Sequence, residues 1–377
     1  MVRLIKIIKN SFKRSREAAG PDSQVVSGAS GMPQPSAPPA PIGSVRSAEN
    51  PYRRKSSSQS SAPETQETVE RISGLKDLYR DLQAAVECAL TGIIARQKVE
   101  DVIAHVVHAF EKRPYNELLV MAYAFSKNNY LASHITNDVI LSVGFAASLG
   151  YSRQEMIDLG VCAFTHDLGM SGFDGVVKKG QQLSDQEIED IKQHPLRSAE
   201  IVRPVFSEKV AAVVLDVHER ENGQGYPRGI PGAEIHLWAK IISVCDTFEA
   251  LTHPRVFRTP YSPYEAMKII IKKKDILFDD TIVKRFIDFI SIYPVGSFVY
   301  LNSGETAMVV GSNAGFPTRP MVKILVNENR ELEEGLRIID LAKQDFVYIS
   351  GAVEPERERD IDHFLKPRGL AVTDELA

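Results

Sequence analysis

The chain has 377 residues, of which 43% are hydrophobic and 25% are charged, and its formal net charge at pH 7 is -4. This composition describes a globular protein of one or two domains and excludes collagen-like, coiled-coil and disulfide-scaffold chains. The near-balanced charge argues against a protein that coats duplex nucleic acid, and no apolar run approaches the length of a membrane-spanning helix.

The three cysteines are widely spaced and odd in number, and they lie in apolar stretches. They are Cys88, Cys162 and Cys245. This pattern predicts buried free thiols and favours a reducing, cytoplasmic location.

Residues 1–16 place apolar side chains on one helical face and lysines and arginines on the other. They predict a short basic amphipathic helix that docks on a partner or lies on an anionic membrane surface, peripheral to the inner membrane. A frayed terminus without function is the alternative, because so short an isolated helix is marginal. Residues 17–63 are rich in Ser, Pro, Ala and Gly, which predicts a disordered linker.

Helical periodicity begins at Glu64 and continues to about Tyr293, which predicts a mainly α-helical bundle. Ser152 and Ser184 are predicted helix caps, Ser184 with Glu187 as a capping box, and Pro195 is predicted to open the next helix at its first position. We divide the bundle into an N-terminal helical region, 64–115, and a second domain, 116–293.

Beyond Pro294 the pattern changes to alternation in the segments SFVYLNS, TAMVVGS and MVKILVN, which Gly-containing turns separate. It predicts a small antiparallel β subdomain over 294–353, followed by a polar tail over 354–377. We expect this sheet to cover the bundle, with a lid or a homodimer contact as the alternatives.

Six residues among the histidines and aspartates recur about one helix and loop apart. They are His134, His166, Asp167, His194, His218 and Asp246. On a helical bundle this interval lets successive helices each supply an inward ligand, and imidazole with carboxylate suits iron, manganese, zinc or nickel better than calcium. A single histidine is more often a core or surface residue, so the prediction depends on the joint pattern.

Five sequence blocks carry a resemblance to a known family. They are SHITNDV, FTHDLGM, KKGQQLSDQEIEDIKQHPLRSAEIV, VHERENGQGYPRGIPGAEI and AKIISVCDTFEALTHPRVFR. In this order they resemble the motifs of HD-GYP domains, and the resemblance covers about half of the chain. The resemblance implies an HD-superfamily helical fold over 116–293 and, for active members, metal-dependent hydrolysis of cyclic di-GMP to linear pGpG or GMP.

The resemblance also implies roles for single residues. The six histidines and aspartates fall where the family places metal ligands, with Asp167 and His194 expected in the catalytic centre. Gly225, Tyr226 and Pro227 are the GYP segment itself. Tyr226 is expected to contact guanine, and Arg255 and Arg258 to contact the phosphates or bases, since guanidinium groups bind phosphate and stack on bases.

Three positions depart from the family pattern. Val217 replaces the first of two adjacent histidines, Tyr130 stands where three-metal members carry a glutamate, and Met170 replaces a lysine after the His-Asp pair. They predict two divalent ions, with iron or manganese favoured, rather than three. They also motivate an alternative function: a catalytically weak module that senses cyclic di-GMP, or that docks on a diguanylate cyclase or other signalling protein through the GYP region. A third hypothesis assigns another phosphate ester as substrate.

Overall fold

The computed structural model describes residues 65–113, 118–119, 122, 129–173, 184–253, 260–333 and 337–353. The predicted N-terminal helix, the linker and the polar tail therefore lie outside the described residues. Among the described helices, none combines the length and apolar character needed to cross a membrane.

The described helices follow one another in the order α1 Thr65–Leu90, α2 Arg96–Lys112, α3 Tyr130–Ser148, α4 Arg153–Thr165, α5 Asp185–Ile191, α6 His194–Val202, α7 Glu208–Asp216, α8 Leu237–Thr252, α9 Pro263–Lys272 and α10 Asp280–Ile290. Short 3-10 helices at Leu168–Met170, Gly232–Glu234 and Leu341–Lys343 connect some of these elements.

Helix α3 is the centre of the bundle. Every residue from Leu131 to Ala146 is buried, because α1, α4 and α8 pack around it and bury its whole circumference. One connected cluster of buried hydrophobic side chains forms the core of the bundle, and its members range from Leu75 in α1 to Ile290 at the end of α10. Because α3 is buried on all sides, its polar side chains cannot reach water and must find partners within the bundle.

Helix starts follow local side-chain signals. Ser152 and Ser184 each accept a hydrogen bond from the backbone N–H three residues later and form a capping box with a glutamate, which confirms both predicted caps. Helix α6 begins at His194, one residue before the predicted first position, and Pro195 lies in its first turn. This early start makes His194 part of the helix.

The strands are β1 Phe298–Leu301, β2 Thr306–Gly311, β3 Met321–Val326, β4 Ile338–Asp340 and β5 Ile349–Ala352. They form an antiparallel sheet in the order β4-β3-β2-β1-β5, with Val299 opposite Ala307 and Val309 opposite Val322. This arrangement confirms the predicted fold class, a mainly helical bundle with a small antiparallel sheet at the C-terminal side. The sheet has apolar clusters on both faces and is tied to the end of α10 by hydrogen bonds from Ser291 and Ile292 to the Pro317 carbonyl.

All three cysteines are free. Cys162 and Cys245 are buried as predicted, and burial raises the pKa of both thiols. The prediction is wrong for Cys88, which is only partly buried because it lies near the exposed end of α1.

Candidate metal centre

The six histidines and aspartates predicted as ligands come together in the middle of the bundle. His134 lies on α3, His166 and Asp167 directly follow α4, and Asp246 lies on α8. His194 is the first residue of α6, and His218 follows the end of α7. None of the six side chains is more than 4% exposed. The fold thus gathers residues from separate helices into one closed site, as inward ligands on a bundle require.

Asp167 occupies the centre of this cluster. Its Oδ1 lies 3.0 Å from His194 Nε2, 3.4 Å from His218 Nε2 and 3.5 Å from His166 Nε2. Its Oδ2 lies 3.6 Å from His134 Nε2. The two carboxylate oxygens therefore face different histidines.

Two groups of potential metal ligands share this aspartate. His134, His166 and Asp167 form one group, and Asp167, His194 and His218 form the other. Within each group the ligand atoms lie within 4.8 Å of one another. Asp246 belongs to neither triad, but its Oδ1 lies 3.2 Å from His134 Nε2 and places a further carboxylate beside the first group.

Several buried polar atoms in the cluster have no hydrogen-bond partner among the described residues. They are His134 Nε2, His166 Nε2, His194 Nε2, His218 Nδ1, Asp167 Oδ2 and both Asp246 carboxylate oxygens. Burying such atoms without partners is costly, so a set of them within one cluster fits bound cations. Imidazole nitrogens with carboxylate oxygens are a donor set that divalent transition metals accept.

Three of the histidines are oriented by hydrogen bonds from the other ring nitrogen. His166 Nδ1 donates to the Ala163 carbonyl and His194 Nδ1 to the Ile191 carbonyl, each at 2.7 Å. His134 Nδ1 contacts the Glu249 carboxylate. Such a bond fixes the tautomer and leaves the Nε2 lone pair for a metal, the usual arrangement of histidine ligands.

Two aspartates of the site are held in the ionised form. Burial opposes ionisation of Asp167, but His166 and His194 outweigh it and hold the pKa of Asp167 well below its usual range. Burial likewise opposes ionisation of Asp246, yet its contact with His134 lowers its pKa to about 2. Burial lowers the pKa of His218 to about 3. Burial opposes protonation of His134, but Glu249 and Asp246 raise its pKa well above the usual range, so a metal bound at this histidine would have to displace its proton.

The Gly225–Tyr226–Pro227 segment forms a turn at the edge of this cluster, with a cis Tyr226–Pro227 bond. The Tyr226 ring stacks on His218, with ring centroids 5.1 Å apart, and meets the His194 ring edge-on. A side chain at Gly225 would place its Cβ 2.4 Å from Glu219 Cα, so the close approach of the two backbones requires glycine.

Glu219 stabilises the loop that carries this turn through hydrogen bonds to its backbone. Its carboxylate accepts backbone N–H bonds from Arg228 at 2.7 Å, Gly229 at 3.1 Å and Ile230 at 3.2 Å. Because Glu219 directly follows His218, the loop that carries the GYP segment is fixed to the cluster.

The structure describes all three residues that depart from the family pattern. Val217 is fully buried among core residues, and Met170 is buried in the 3-10 helix that follows Asp167. The Tyr130 ring stacks on His134 at 6.1 Å, so a side chain without a carboxylate lies beside this histidine. The predicted substrate-binding residues Arg255 and Arg258 lie outside the described residues.

Two residues beside the cluster were not predicted, Glu249 and Asn137. Asn137 donates from Nδ2 to Glu249 Oε1 at 2.9 Å, and Glu249 contacts the ring of His134. Burial opposes ionisation of Glu249, but His253 and His134 hold its pKa below the usual range. The sequence signal for both was their helical spacing, three residues after Asp246 and three after His134, which places them on the site-facing side.

Comparisons with known proteins agree with this geometry. Residues 120–282 match the family described as HD domain, and residues 298–360 match the KOW domain associated with HD domain. A cyclic di-GMP phosphodiesterase of Pseudomonas aeruginosa is 27% identical over 271 residues, which cover 71% of this chain and 63% of that protein.

Two further relatives match shorter regions. The cyclic di-GMP phosphodiesterase PdeB of Borreliella burgdorferi is 24% identical over 55% of this chain and 55% of its own length. The 3'3'-cGAMP-specific phosphodiesterase 1 of Vibrio cholerae is 31% identical over 38% of this chain and 34% of its own length. The chain therefore spans less than two thirds of the length of each of these relatives.

The HD-domain match and the relatives agree with the order of the histidine and aspartate motifs and with the GYP turn packed on His218. Residues 120–282 are thus similar to the HD domain, and the relatives support an HD-GYP protein.

Proposed function

We propose that this chain is a metal-dependent phosphodiesterase that hydrolyses cyclic di-GMP to linear pGpG or GMP. The observation that carries the proposal is the pair of buried ligand groups that share Asp167. Two adjacent metal ions are an established solution for cleaving phosphodiesters. The cyclic di-GMP phosphodiesterases among the relatives support the choice of substrate.

We propose two divalent ions as cofactors, with iron or manganese favoured and zinc or nickel compatible with the donors. His134, His166 and Asp246 would hold one ion, His194 and His218 the other, and Asp167 would contribute to both. When bound, the ions would supply hydroxide near neutral pH and neutralise charge on the scissile phosphate.

The chain's own residues would orient the substrate. The partly exposed Tyr226 ring borders the cluster, where it can contact a guanine base. We propose Arg255 and Arg258 as contacts to the phosphates or bases, since they follow Thr252, the last residue of α8, by three and six residues in the sequence. Asp167 and His194, which share the second ligand group, would hold the reacting centre.

The proposal is tested by incubating the purified chain with Mn2+ or Fe2+ and cyclic di-GMP and separating the products by chromatography. We expect linear pGpG or GMP from the wild-type chain and none from His166→Ala or Asp167→Ala. A parallel assay with 3'3'-cGAMP decides between the two substrates named for the relatives. If metal-loaded wild-type chain cleaves neither, the phosphodiesterase proposal fails.

A second candidate is a catalytically weak module that senses cyclic di-GMP or docks on a diguanylate cyclase through the GYP turn. Val217 and Met170 favour it, because neither can supply the metal ligand or the phosphate-binding cation of other members. A sensor would bind cyclic di-GMP without cleaving it, and this binding would survive treatment with a chelator. Calorimetry on chelator-treated protein therefore separates the two functions.

We further propose that residues 1–16 contact an anionic membrane surface, which their basic and apolar faces support. Co-sedimentation with vesicles containing phosphatidylglycerol should retain the full chain but not a chain that lacks these residues. A homodimer is also compatible with the fold, and light scattering would measure it.

A further inference from the structure

His134 differs from His166 and His194 in how its outer ring nitrogen is held. His166 and His194 lie next to helix ends, where the carbonyls of Ala163 and Ile191 accept their Nδ1–H groups. His134 lies inside α3, where the backbone carbonyls already accept hydrogen bonds within the helix. A side chain from another helix must therefore hold His134, and the structure places Glu249 there.

Glu249 lies one helical turn after Asp246 on α8 and is 3% exposed. Its Oε2 contacts His134 Nδ1. Its Oε1 accepts from Asn137 Nδ2 at 2.9 Å and lies 2.5 Å from His253 Nδ1. With both oxygens engaged, the carboxylate has a fixed orientation, which a group that aligns a metal ligand requires.

The network continues to α1, which lies outside the HD-domain match. The Tyr79 hydroxyl donates to Asn137 Oδ1 at 3.0 Å, and Tyr79 is 2% exposed. This bond fixes the amide of Asn137 so that its Nδ2 faces Glu249. A helix from the N-terminal region is thus linked to His134 through three successive contacts, Tyr79 to Asn137, Asn137 to Glu249 and Glu249 to His134.

At its other end the network reaches the proposed substrate-binding segment. His253 follows α8 directly and is the last described residue before 254–259, which contains Arg255 and Arg258. Glu249 therefore contacts both His134, a candidate metal ligand, and His253, the residue that directly precedes this segment.

We propose that Glu249 is a positioning residue: it holds His134 with Nε2 directed into the metal centre, and Tyr79 supports it through Asn137. The proposal deepens the metal centre proposed above and rests on it. Outer carboxylate partners of ligating histidines contribute roughly 10- to 100-fold to metal affinity. We expect Glu249 to contribute to the metal affinity by a factor in this range.

The test is the Mn2+ dissociation constant, measured by calorimetry on the full metal-free chain without any nucleotide. We expect Glu249→Gln to weaken Mn2+ binding by roughly 10- to 100-fold, since the amide lacks the charge that favours the Nδ1–H tautomer of His134. Glu100→Gln, a change at a partly exposed residue of α2 that pairs with Arg96, is the matched control and should leave the affinity unchanged. A merely structural role would lower the melting temperature of the metal-free chain and leave the dissociation constant of the folded fraction as in wild type.

Tyr79→Phe provides a second, milder variant in case Glu249→Gln does not fold. It removes one hydroxyl and keeps the ring, and we expect roughly two- to fivefold weaker Mn2+ binding from the lost hydrogen bond. Wild-type affinity in folded Glu249→Gln, or in Tyr79→Phe if the first variant is unfolded, would overturn the proposal. Absence of hydrolysis by a wild-type chain that binds Mn2+ would contradict only the phosphodiesterase function.

Discussion

Asp167 differs from the other residues of the site because both groups of potential metal ligands contain it. His134 and His166 share the first ligand group with it, and His194 and His218 share the second. Removal of Asp167 should therefore affect both ions, and removal of a histidine only the ion it would hold.

This asymmetry gives a prediction on metal content. In Asp167→Asn the amide removes the charge that both groups share, so we expect well below one ion per chain. In His194→Ala the group of His134, His166 and Asp167 stays intact, so we expect about one ion in place of about two. Elemental analysis of anaerobically purified protein measures both contents. Two ions retained in Asp167→Asn would contradict the shared role.

At the scale of elements, the site depends on close packing between the 3-10 helix Leu168–Met170 and the start of α6. The Gly169 N–H donates to Ser198 Oγ at 2.8 Å. A Cβ at Gly169 would lie 2.3 Å from the His194 carbonyl oxygen and 2.7 Å from the Ser198 nitrogen. Asp167 directly precedes this 3-10 helix, and His194 is the first residue of α6. The contact at Gly169 therefore sets the distance between Asp167 and His194.

We predict that Gly169→Ala forces these two elements apart. Overpacking of this kind costs roughly 1–3 kcal/mol of unfolding free energy, and we expect a lower melting temperature together with weaker Mn2+ binding. Gly74→Ala on α1 is the matched control. Its Cβ would meet only Arg113 Nη2 at 3.6 Å, and alanine in a helix is favoured over glycine by roughly 0.5–1 kcal/mol. Equal melting temperatures for the two variants would show that the contact at Gly169 does not constrain the fold.

At the scale of the whole molecule, the candidate metal centre joins elements that are distant in sequence. Helices α3, α6 and α8 and the segments after α4 and α7 each supply a ligand residue. The site histidines and aspartates leave buried polar atoms without partners among the described residues. Metal binding to the folded chain should therefore stabilise the entire bundle.

We accordingly predict that a chelator lowers the melting temperature. A site loaded at 100 times its dissociation constant contributes about 2.7 kcal/mol, which corresponds to roughly 5–10 °C for a domain of this size. Differential scanning calorimetry with and without EDTA measures the shift. Asp167→Asn should show no response, and an equal response in this variant would mean that EDTA acts elsewhere.

The sequence by itself determined the helical bundle, the helix caps Ser152 and Ser184, and the residues of the central cluster. Caps such as Ser152 and Ser184 are local signals, because their hydrogen bonds span three residues. Strands β1 to β3 show clear alternation and were predicted. The short strands β4 and β5 were missed, because three or four residues such as Ile338–Asp340 carry too little periodicity.

Only the tertiary structure decided how the cluster is held. Glu249 lies 115 residues from His134, and Tyr79 lies 58 residues from Asn137, so no local pattern relates these partners. The sequence also left open which histidine nitrogen faces the centre, since this depends on where an acceptor lies. That acceptor is a free helix-end carbonyl for His166 and a carboxylate from α8 for His134, because the carbonyls inside α3 are already engaged.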